Sequence, residues 1–255
     1  MKTVKVRELT IGIGQPKICV SITGKTSSEI VRNAQELKDS PADLVEWRCD
    51  CYEHALQFQE TTQVLRSLRK ILNEKPILFT FRTKEEGGSL KIEQDKYMEL
   101  YFSIIQSGCP DLIDLEVSQG EKVTKPLLEA ARQAGIRTIL SSHDFAKTVP
   151  QRELEKQLTT MQQLEGDIVK IAVMPNTSAD VLALLGALEQ VKRNETSKPM
   201  IGISMGKLGV VSRISGELFG SCITFGTVGE GSAPGQLELH DLKKVLDILH
   251  NHTIE

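Results

Sequence analysis

The segment DIVKIAVMP, residues 167–175, has the composition of a buried parallel β-strand but carries a lysine at its centre. Side chains alternate between the two faces of a strand, so Lys170 shares its face with Ile168, Ala172 and Met174. Burying an ammonium group costs free energy unless the group is paired or contacts a polar ligand. The small side chain of Ala172 leaves space for such a ligand. This strand therefore predicts a buried α/β sheet with a pocket on one face.

Eight short apolar runs of this kind recur along the chain, each followed by a polar loop and a stretch with helical periodicity. Their starts are about 22–35 residues apart, which suits one strand plus one crossover helix. Eight such units predict an α/β fold, a (β/α)8 TIM barrel, with residues 1–255 forming a single domain. A doubly wound open sheet is the alternative. The predicted strands cover residues 16–22, 42–48, 76–82, 111–117, 137–143, 167–173, 199–205 and 222–228.

Two further segments lie outside these eight units. Residues 3–14, TVKVRELTIGIG, are β-branched and alternating and end in glycines, so they predict a β-hairpin that closes the N-terminal bottom of the barrel. Residues 238–252, ELHDLKKVLDILHNH, have apolar side chains at helical spacing and predict a closing amphipathic helix. Neither segment indicates a second domain.

Composition excludes several classes of function. The net charge of −3, with both signs scattered along the chain, argues against nucleic-acid binding. No apolar run approaches the ~18–20 residues that a membrane-spanning helix needs. The five cysteines are odd in number and show neither a Cys-x-x-Cys pair nor zinc-type spacing, so we expect reduced thiols and no metal site. Because the N-terminus also lacks the apolar region of a signal peptide, we expect a cytoplasmic protein.

Polar side chains share the inward face of several predicted strands, although the interior of a barrel is normally filled by Val, Ile and Leu. Buried charges must be paired, so they predict a salt-bridge network, a pocket for a polar ligand, or both. Most of them lie at the carboxyl ends of strands, where barrel enzymes place their active sites, and this favours the pocket. The charged members are Glu46, Arg48, Arg82, Asp114, Glu116 and Lys170, and Ser21 and Ser141 lie among them.

Two of the inward side chains suit covalent and acid–base chemistry. The first is the amine of Lys170, which must be uncharged to attack a ketone and form an iminium ion. Partial burial beside other cations favours the uncharged amine. His143 ends the strand next to that of Lys170, so its imidazole could act there as general acid and base. Glu86 or Glu85, in the loop after the third strand, could orient the imidazole. The alternatives are a core histidine without chemistry and an exposed loop carboxylate.

The loops after the last two strands carry candidate ligands for an anionic group. Arg213 follows the seventh strand, and Ser232 and Gln236 lie in the glycine-rich segment GTVGEGSAPGQ, residues 226–236. This composition predicts a mobile lid over a carboxylate. A phosphate cradle is the alternative, but the glycines do not match G-x-G-x-x-G and Pro234 cannot donate an amide hydrogen.

These motifs, in this order and spacing, resemble the type I 3-dehydroquinate dehydratases, a Schiff-base-forming family. The resemblance runs over nearly the whole chain and rests on PKICVSI, DLVEWRCD, FTFRTKEEGG, IDLEVS, SSHDF, DIVKIAVMP, GISMGKLGVVSRI and FGTVGEGSAPGQ. It implies the third step of the shikimate pathway, the dehydration of 3-dehydroquinate to 3-dehydroshikimate. It also implies a homodimer and no organic or metal cofactor, because the lysine supplies the electron sink.

The resemblance assigns roles residue by residue. It implies that Lys170 condenses with the C3 ketone and that His143 moves the protons of a syn elimination. It selects Glu86 rather than Glu85 as the partner of the imidazole. It places Arg213 on the substrate carboxylate. It also implies that two lid residues contact the substrate carboxylate, Ser232 and Gln236. The residues that it implies for the ring hydroxyls are Ser21, Glu46, Arg48 and Arg82.

Two rival functions remain open at this point. A class I aldolase also uses a barrel lysine but breaks a carbon–carbon bond, usually in a phosphorylated sugar; the single Arg213 and the proline-containing lid disfavour it. A barrel that only binds a polyhydroxy acid is the second rival. Formation of an enone product and of a covalent lysine adduct would distinguish the three.

Overall fold

The computed structural model describes residues 2–194, 197–229 and 231–253. An antiparallel hairpin precedes alternating parallel strands and helices. The strands are β1 (Val4–Val6), β2 (Leu9–Ile11), β3 (Lys17–Ile22), β4 (Leu44–Arg48), β5 (Ile77–Thr80), β6 (Leu112–Glu116), β7 (Arg137–Asp144), β8 (Ile168–Val173), β9 (Met200–Ser204), β10 (Ile223–Thr227) and β11 (Leu237–Glu238). The helices are α1 (Ser27–Lys38), α2 (Phe58–Leu72), α3 (Gln94–Gln106), α4 (Glu121–Gln133), α5 (Gln151–Gln163), α6 (Ser178–Lys192), α7 (Val210–Ile214), α8 (Gly216–Phe219) and α9 (Leu239–Thr253).

The parallel strands follow one another around a barrel. Strand β10 pairs with β3, and β3 to β9 are neighbours in chain order. All eight predicted strands are present as β3 to β10, which confirms the TIM-barrel-like α/β fold. The doubly wound alternative is wrong, because its strand order would reverse partway across the sheet. Short strand β11 pairs with the end of β10.

Few backbone hydrogen bonds close the barrel between β9 and β10. The amide of Cys222 donates to the carbonyl of Met200 at 2.7 Å. Two later β9 amides donate instead to serine hydroxyls, Gly202 to Ser221 Oγ at 3.1 Å and Ser204 to Ser212 Oγ at 2.9 Å. Side chains therefore replace part of the backbone pairing at this seam.

The N-terminal hairpin covers the bottom of the barrel, as predicted. Val4, Val6 and Ile11 are buried. They pack against the first inward residues of the strands, which include Leu44, Leu78, Leu112, Ile139, Ile168, Ile201 and Ile223. Asp111, just before β6, forms ion pairs with Arg7 of the hairpin and with Arg69 of α2. These contacts fix the end of the barrel opposite to the polar residues.

The helices pack on the outward face of the strands, where Trp47, Val169 and Ile171 belong to the main apolar core. Helix α1 begins with a capping box between Thr26 and Glu29, which satisfies two amides of its first turn. The predicted C-terminal helix is α9. Among the described residues, no helix is long and apolar enough to cross a membrane.

Candidate active site

A cavity of about 250 Å³ opens at the carboxyl ends of the strands. This volume suits one small, ring-sized molecule. Ser21 reaches the cavity only indirectly, because its hydroxyl donates to Glu46 at 2.5 Å. The other nine predicted site residues line the cavity together: Glu46, Arg48, Arg82, Glu86, His143, Lys170, Arg213, Ser232 and Gln236.

Lys170 lies in the middle of β8 and is only 4% exposed. Its Nζ lies 3.1 Å from Asp114 Oδ2 and 4.7 Å from the centre of the Phe225 ring. Ala172 lines the same cavity, as the sequence predicts. The sequence led us to expect cations around the amine, whereas its direct partner is a carboxylate. The carboxylate of Asp114 thus lies in direct contact with the nitrogen that the sequence marks as a nucleophile.

Arg82 joins the carboxylates of β6 into one buried network. Its guanidinium donates to Asp114 and to Glu116, each at 2.8 Å, and to Ser141 Oγ at 3.0 Å. Burial disfavours the charge of Arg82, but Asp114 and Glu116 outweigh burial and hold its pKa above the usual value. The polar interior is thus both a salt-bridge network and the wall of a pocket.

The carboxylate of Asp114 is fully buried and stays ionised because cations surround it. Burial alone would raise its pKa, but Arg82 and Lys170 lower the pKa below its usual range. Ser141 also donates to Oδ1 at 2.5 Å. Every polar atom of this carboxylate therefore has a partner.

His143 and Glu86 form a buried pair. His143 Nδ1 lies 2.8 Å from Glu86 Oε2, and the backbone amide of His143 donates to the same oxygen at 3.0 Å. Burial lowers the pKa of His143 well below its usual value, and Arg82 and Lys170 lower it further. The imidazole is thus neutral at pH 7. A proton on Nδ1 donates to Glu86 and leaves Nε2 as a base.

Glu86 occupies a tight turn, Lys84–Glu86, that follows β5. Burial and the nearby Glu116 raise the pKa of Glu86 to about 7, although Arg82 opposes them. Ser118 donates to its second oxygen. Glu85 is exposed, so the structure pairs Glu86 with the imidazole and leaves Glu85 in solvent.

Gly87 ends this turn with a φ of +83°, a conformation that suits glycine. A Cβ at this position would lie 2.3 Å from the ring of Phe145, which is packed against it at the cavity wall. Any larger residue would move the aromatic ring and with it the shape of the cavity.

Arg48 is held by a bidentate ion pair with Asp50. Nε and Nη2 donate to the two carboxylate oxygens, each at 2.8 Å. The same carboxylate accepts the backbone amides of Arg82 and Ser89 at 3.1 Å. Asp50 therefore ties Arg48 to the segment that carries Glu86.

Arg213 is buried but lacks an acidic partner among the described residues. It donates to the carbonyls of Pro234 at 2.9 Å and Phe225 at 3.5 Å, and its Nε has no hydrogen-bond partner. Burial lowers its pKa to about 10, which leaves it charged at pH 7. A buried, unpaired guanidinium in a cavity wall is suited to bind an anionic group.

The predicted lid lies over Arg213. The amide of Ser232 donates to Gln236 Oε1 at 2.8 Å, and Gln236 Nε2 donates to Ser232 Oγ at 3.0 Å. The two side chains thus bind each other beside the guanidinium. Glu230, within the predicted lid, lies outside the described residues.

Several residues of this site were absent from the predicted set. Ser118 and Asp50 hold predicted site residues from the short helical turns that follow β6 and β4, where the alternation of a strand no longer applies. The apolar wall carried no distinguishing signal either. It includes Phe145, Ile203, Met205 and Phe225.

A buried lysine, a neutral imidazole and a guanidinium without an acidic partner among the described residues line one small cavity of this α/β barrel, a combination typical of barrel enzymes that act on small molecules. Comparison with known proteins narrows this class. A family model described as type I 3-dehydroquinase matches residues 18–253. The chain therefore belongs to the type I 3-dehydroquinase family, a family of hydro-lyases.

Individual relatives match this chain along their full lengths. The 3-dehydroquinate dehydratase of Syntrophotalea carbinolica is 43% identical over 253 residues, which cover 99% of this chain and 100% of that protein. A solved type I 3-dehydroquinate dehydratase from Clostridium difficile, with covalent modified comenic acid, has a TM-score of 0.94 at 42% identity and 98% coverage of both chains. The 3-dehydroquinate dehydratase of Geobacillus kaustophilus has a TM-score of 0.94 at 34% identity, covering 99% of this chain and 98% of that one.

Proposed function

We propose that this protein dehydrates 3-dehydroquinate to 3-dehydroshikimate by a syn elimination through an imine on Lys170. One observation carries the proposal: the cavity is lined by Lys170, by His143 and by Arg213, which has no acidic partner in the part of the chain that the structure describes. The names of the full-length relatives support this substrate. The proposal places the protein at the third step of the shikimate pathway.

The reaction uses one amine and one imidazole. The Lys170 amine adds to the C3 ketone, and loss of water gives an iminium ion. The iminium withdraws electrons from C2, so His143 Nε2 can remove the C2 proton and form an enamine. The enamine expels the C1 hydroxyl, which takes a proton from His143 and leaves as water. Hydrolysis of the remaining iminium frees the product and the lysine, and needs no metal or organic cofactor.

The other cavity residues fit the polar groups of this substrate. Arg213 supplies the charge for the carboxylate, and the lid residues Ser232 and Gln236 can exchange their mutual hydrogen bonds for bonds to the same group. The ring hydroxyls are left for Glu46, Arg48 and Arg82. Ser21 then acts through Glu46, since its hydroxyl already donates to that carboxylate.

Reductive trapping tests the proposal. The protein is incubated with 3-dehydroquinate and cyanoborohydride, and peptide masses are compared with a sample that lacks substrate. We expect a reduced adduct on the peptide containing Lys170, together with growth of the enone absorbance of the product when the reductant is omitted. Ligand retention without an adduct would instead support a binding protein. An adduct without enone formation, combined with cleavage of a phosphorylated sugar, would support an aldolase.

Three broader properties belong to the same proposal. The family resemblance suggests a homodimer, and light scattering at several concentrations would measure its mass. A single domain would unfold in one transition across residues 1–255. A cytoplasmic location is consistent with five free thiols, four of them buried, and fractionation of the producing cells would test it.

A further inference from the structure

One strand holds three different parts of the site. Strand β6 points Asp114 and Glu116 inward by alternation, and the helical turn that follows it brings Ser118 to the same site. Asp114 contacts Lys170, Glu116 contacts Arg82, and Ser118 contacts Glu86. Of the three, only Asp114 contacts the nucleophile that the proposed reaction uses.

We infer that Asp114 is the permanent counter-ion of the Lys170 nitrogen, which it positions both as an ammonium and as an iminium ion. The inference rests on the proposed imine chemistry. It makes Asp114 a positioning residue, which acts on the substrate through Lys170.

The two oxygens of Asp114 have different partners. Oδ2 faces Lys170 Nζ at 3.1 Å, whereas Oδ1 accepts from Arg82 at 2.8 Å and from Ser141 at 2.5 Å. Arg82 and Ser141 therefore fix the carboxylate and leave one oxygen for the lysine. Because β7 lies between β6 and β8, this contact spans the inward face of β7 and holds Nζ toward β6.

The charge on the nitrogen explains why a permanent counter-ion is useful. Condensation is balanced as Lys–NH3+ plus O=C giving Lys–NH+=C plus water, so the nitrogen carries one positive charge before and after. Removal of the C2 proton by His143 neutralises the nitrogen as an enamine, and departure of the hydroxyl as water restores the iminium. A carboxylate left unshared would hold the iminium too strongly for that middle step. Arg82 and Ser141 draw part of the charge of Asp114 away from the nitrogen.

Other groups also face Lys170 and must be counted in any pH measurement. Strand β9 contributes apolar Ile203, and β10 contributes the face of the Phe225 ring. The titratable and charged groups are Cys19 of β3, Glu46 of β4, Arg82 after β5, Asp114 of β6 and His143 of β7. Among these, Asp114 is the one in direct ionic contact with Nζ.

The test measures the rate of adduct formation on Lys170 in single-turnover trapping between pH 5 and pH 9. In Asp114→Asn the charged nitrogen loses its counter-ion, so the midpoint of the rate should move to lower pH by about one to three units. The adduct fraction at the plateau should fall as well, because the iminium is less stabilised. A residue that only supported the fold would lower the plateau without moving the midpoint.

Asp111→Asn is the matched control. It removes a carboxylate with two arginine partners at the opposite end of the barrel, so it changes the net charge and the stability in the same sense. We expect its midpoint to stay at the wild-type pH.

Ser141→Ala provides an independent answer should Asp114→Asn fail to fold. Loss of the hydroxyl leaves more charge on Asp114 for the lysine, so the midpoint should move the opposite way, to higher pH, by about half a unit. A midpoint that stays at the wild-type value in the variants that fold would overturn the inference while leaving the imine proposal intact. Absence of any adduct in the wild-type protein would instead refute the proposed function.

Discussion

Replacing Glu86 by glutamine removes a buried charge and keeps the shape of the side chain. The amide oxygen can still accept from the backbone and ring nitrogens of His143, and the amide nitrogen can donate to Ser118, which now binds the other carboxylate oxygen. The hydrogen-bond pattern is therefore preserved. The substitution removes only the titratable carboxyl group at this position.

The magnitude follows from the pKa of Glu86, which burial and Glu116 raise to about 7 from a usual 4.5. Between these values the folded protein binds more protons than the unfolded chain, so this group makes the wild type less stable as the pH rises. At 1.36 kcal/mol per unit, the loss between pH 5 and pH 8 is on the order of 2–3 kcal/mol. The glutamine variant lacks this loss. Its free energy of unfolding relative to the wild type should thus increase with pH by that amount.

The assay is urea unfolding of both proteins at pH 5, 6, 7 and 8. Thermal unfolding of the same samples should show the same trend. Between pH 5 and pH 8, the melting temperature of the variant should rise relative to that of the wild type by roughly 5–10 °C for a chain of this length. Glu85→Gln is the control, because it makes the same change one residue earlier at an exposed position and should give no such trend. If wild type and Glu86→Gln kept a constant difference across the pH range, the raised pKa of Glu86 would be wrong.

Four other variants test the proposed roles. Lys170→Ala should fold, form no adduct and lose at least ~10⁴-fold in kcat; any covalent adduct elsewhere would refute the assignment. His143→Ala should still trap an adduct but lose about 10²–10⁴-fold in kcat, measured by the enone absorbance, and normal turnover would exclude the imidazole as the base. Arg213→Met should lower kcat/KM roughly 10–100-fold, mainly through KM, since it removes one charge-assisted bond; an effect on kcat alone would contradict carboxylate binding. Ser118→Ala should lower activity less than His143→Ala and shift its pH profile, because it removes a donor from Glu86; an unchanged profile would show that Ser118 does not tune the pair.

Alternation along the strands was enough to predict much of the barrel and its interior from the sequence alone. It placed Lys170 and Ala172 on one face, and Arg82 on the same inner surface as the β6 carboxylates. Parity is a local property of each strand, so it can be read from the order of residues. The hairpin and the closing helix were predicted in the same way, from their own periodicity.

Pairing inside the barrel could not be predicted in this way. Whether Lys170 meets Asp114 or Glu116 depends on the stagger of β6 against β8, which is set by the twist and tilt of the whole sheet. The sequence therefore suggested cations around the amine and missed its carboxylate partner. For the same reason Ser21, on an inward face, contacts Glu46 and not the cavity itself.

Contacts made from turns could not be predicted from the sequence either. Ser118 and Asp50 lie in short helical turns just beyond strands, where the backbone no longer repeats every second residue. Their contacts with Glu86 and Arg48 depend on how each turn bends back toward the cavity. Apolar wall residues such as Phe145 carry no distinguishing pattern, because they look like any core residue.

The serine-bridged seam between β9 and β10 has a dynamic consequence. The amides of Gly202 and Ser204 rely on hydroxyls that can rotate away, whereas the intervening amide of Ile203 faces the regular pairing with β8. Deuterium should therefore replace hydrogen sooner at the first two positions than at the third. Because Ser212 directly precedes Arg213, occupation of the guanidinium by a ligand should slow the exchange at Ser204 most. Transient opening of the barrel would then concentrate along this one seam, beside the arginine that we propose binds the substrate carboxylate.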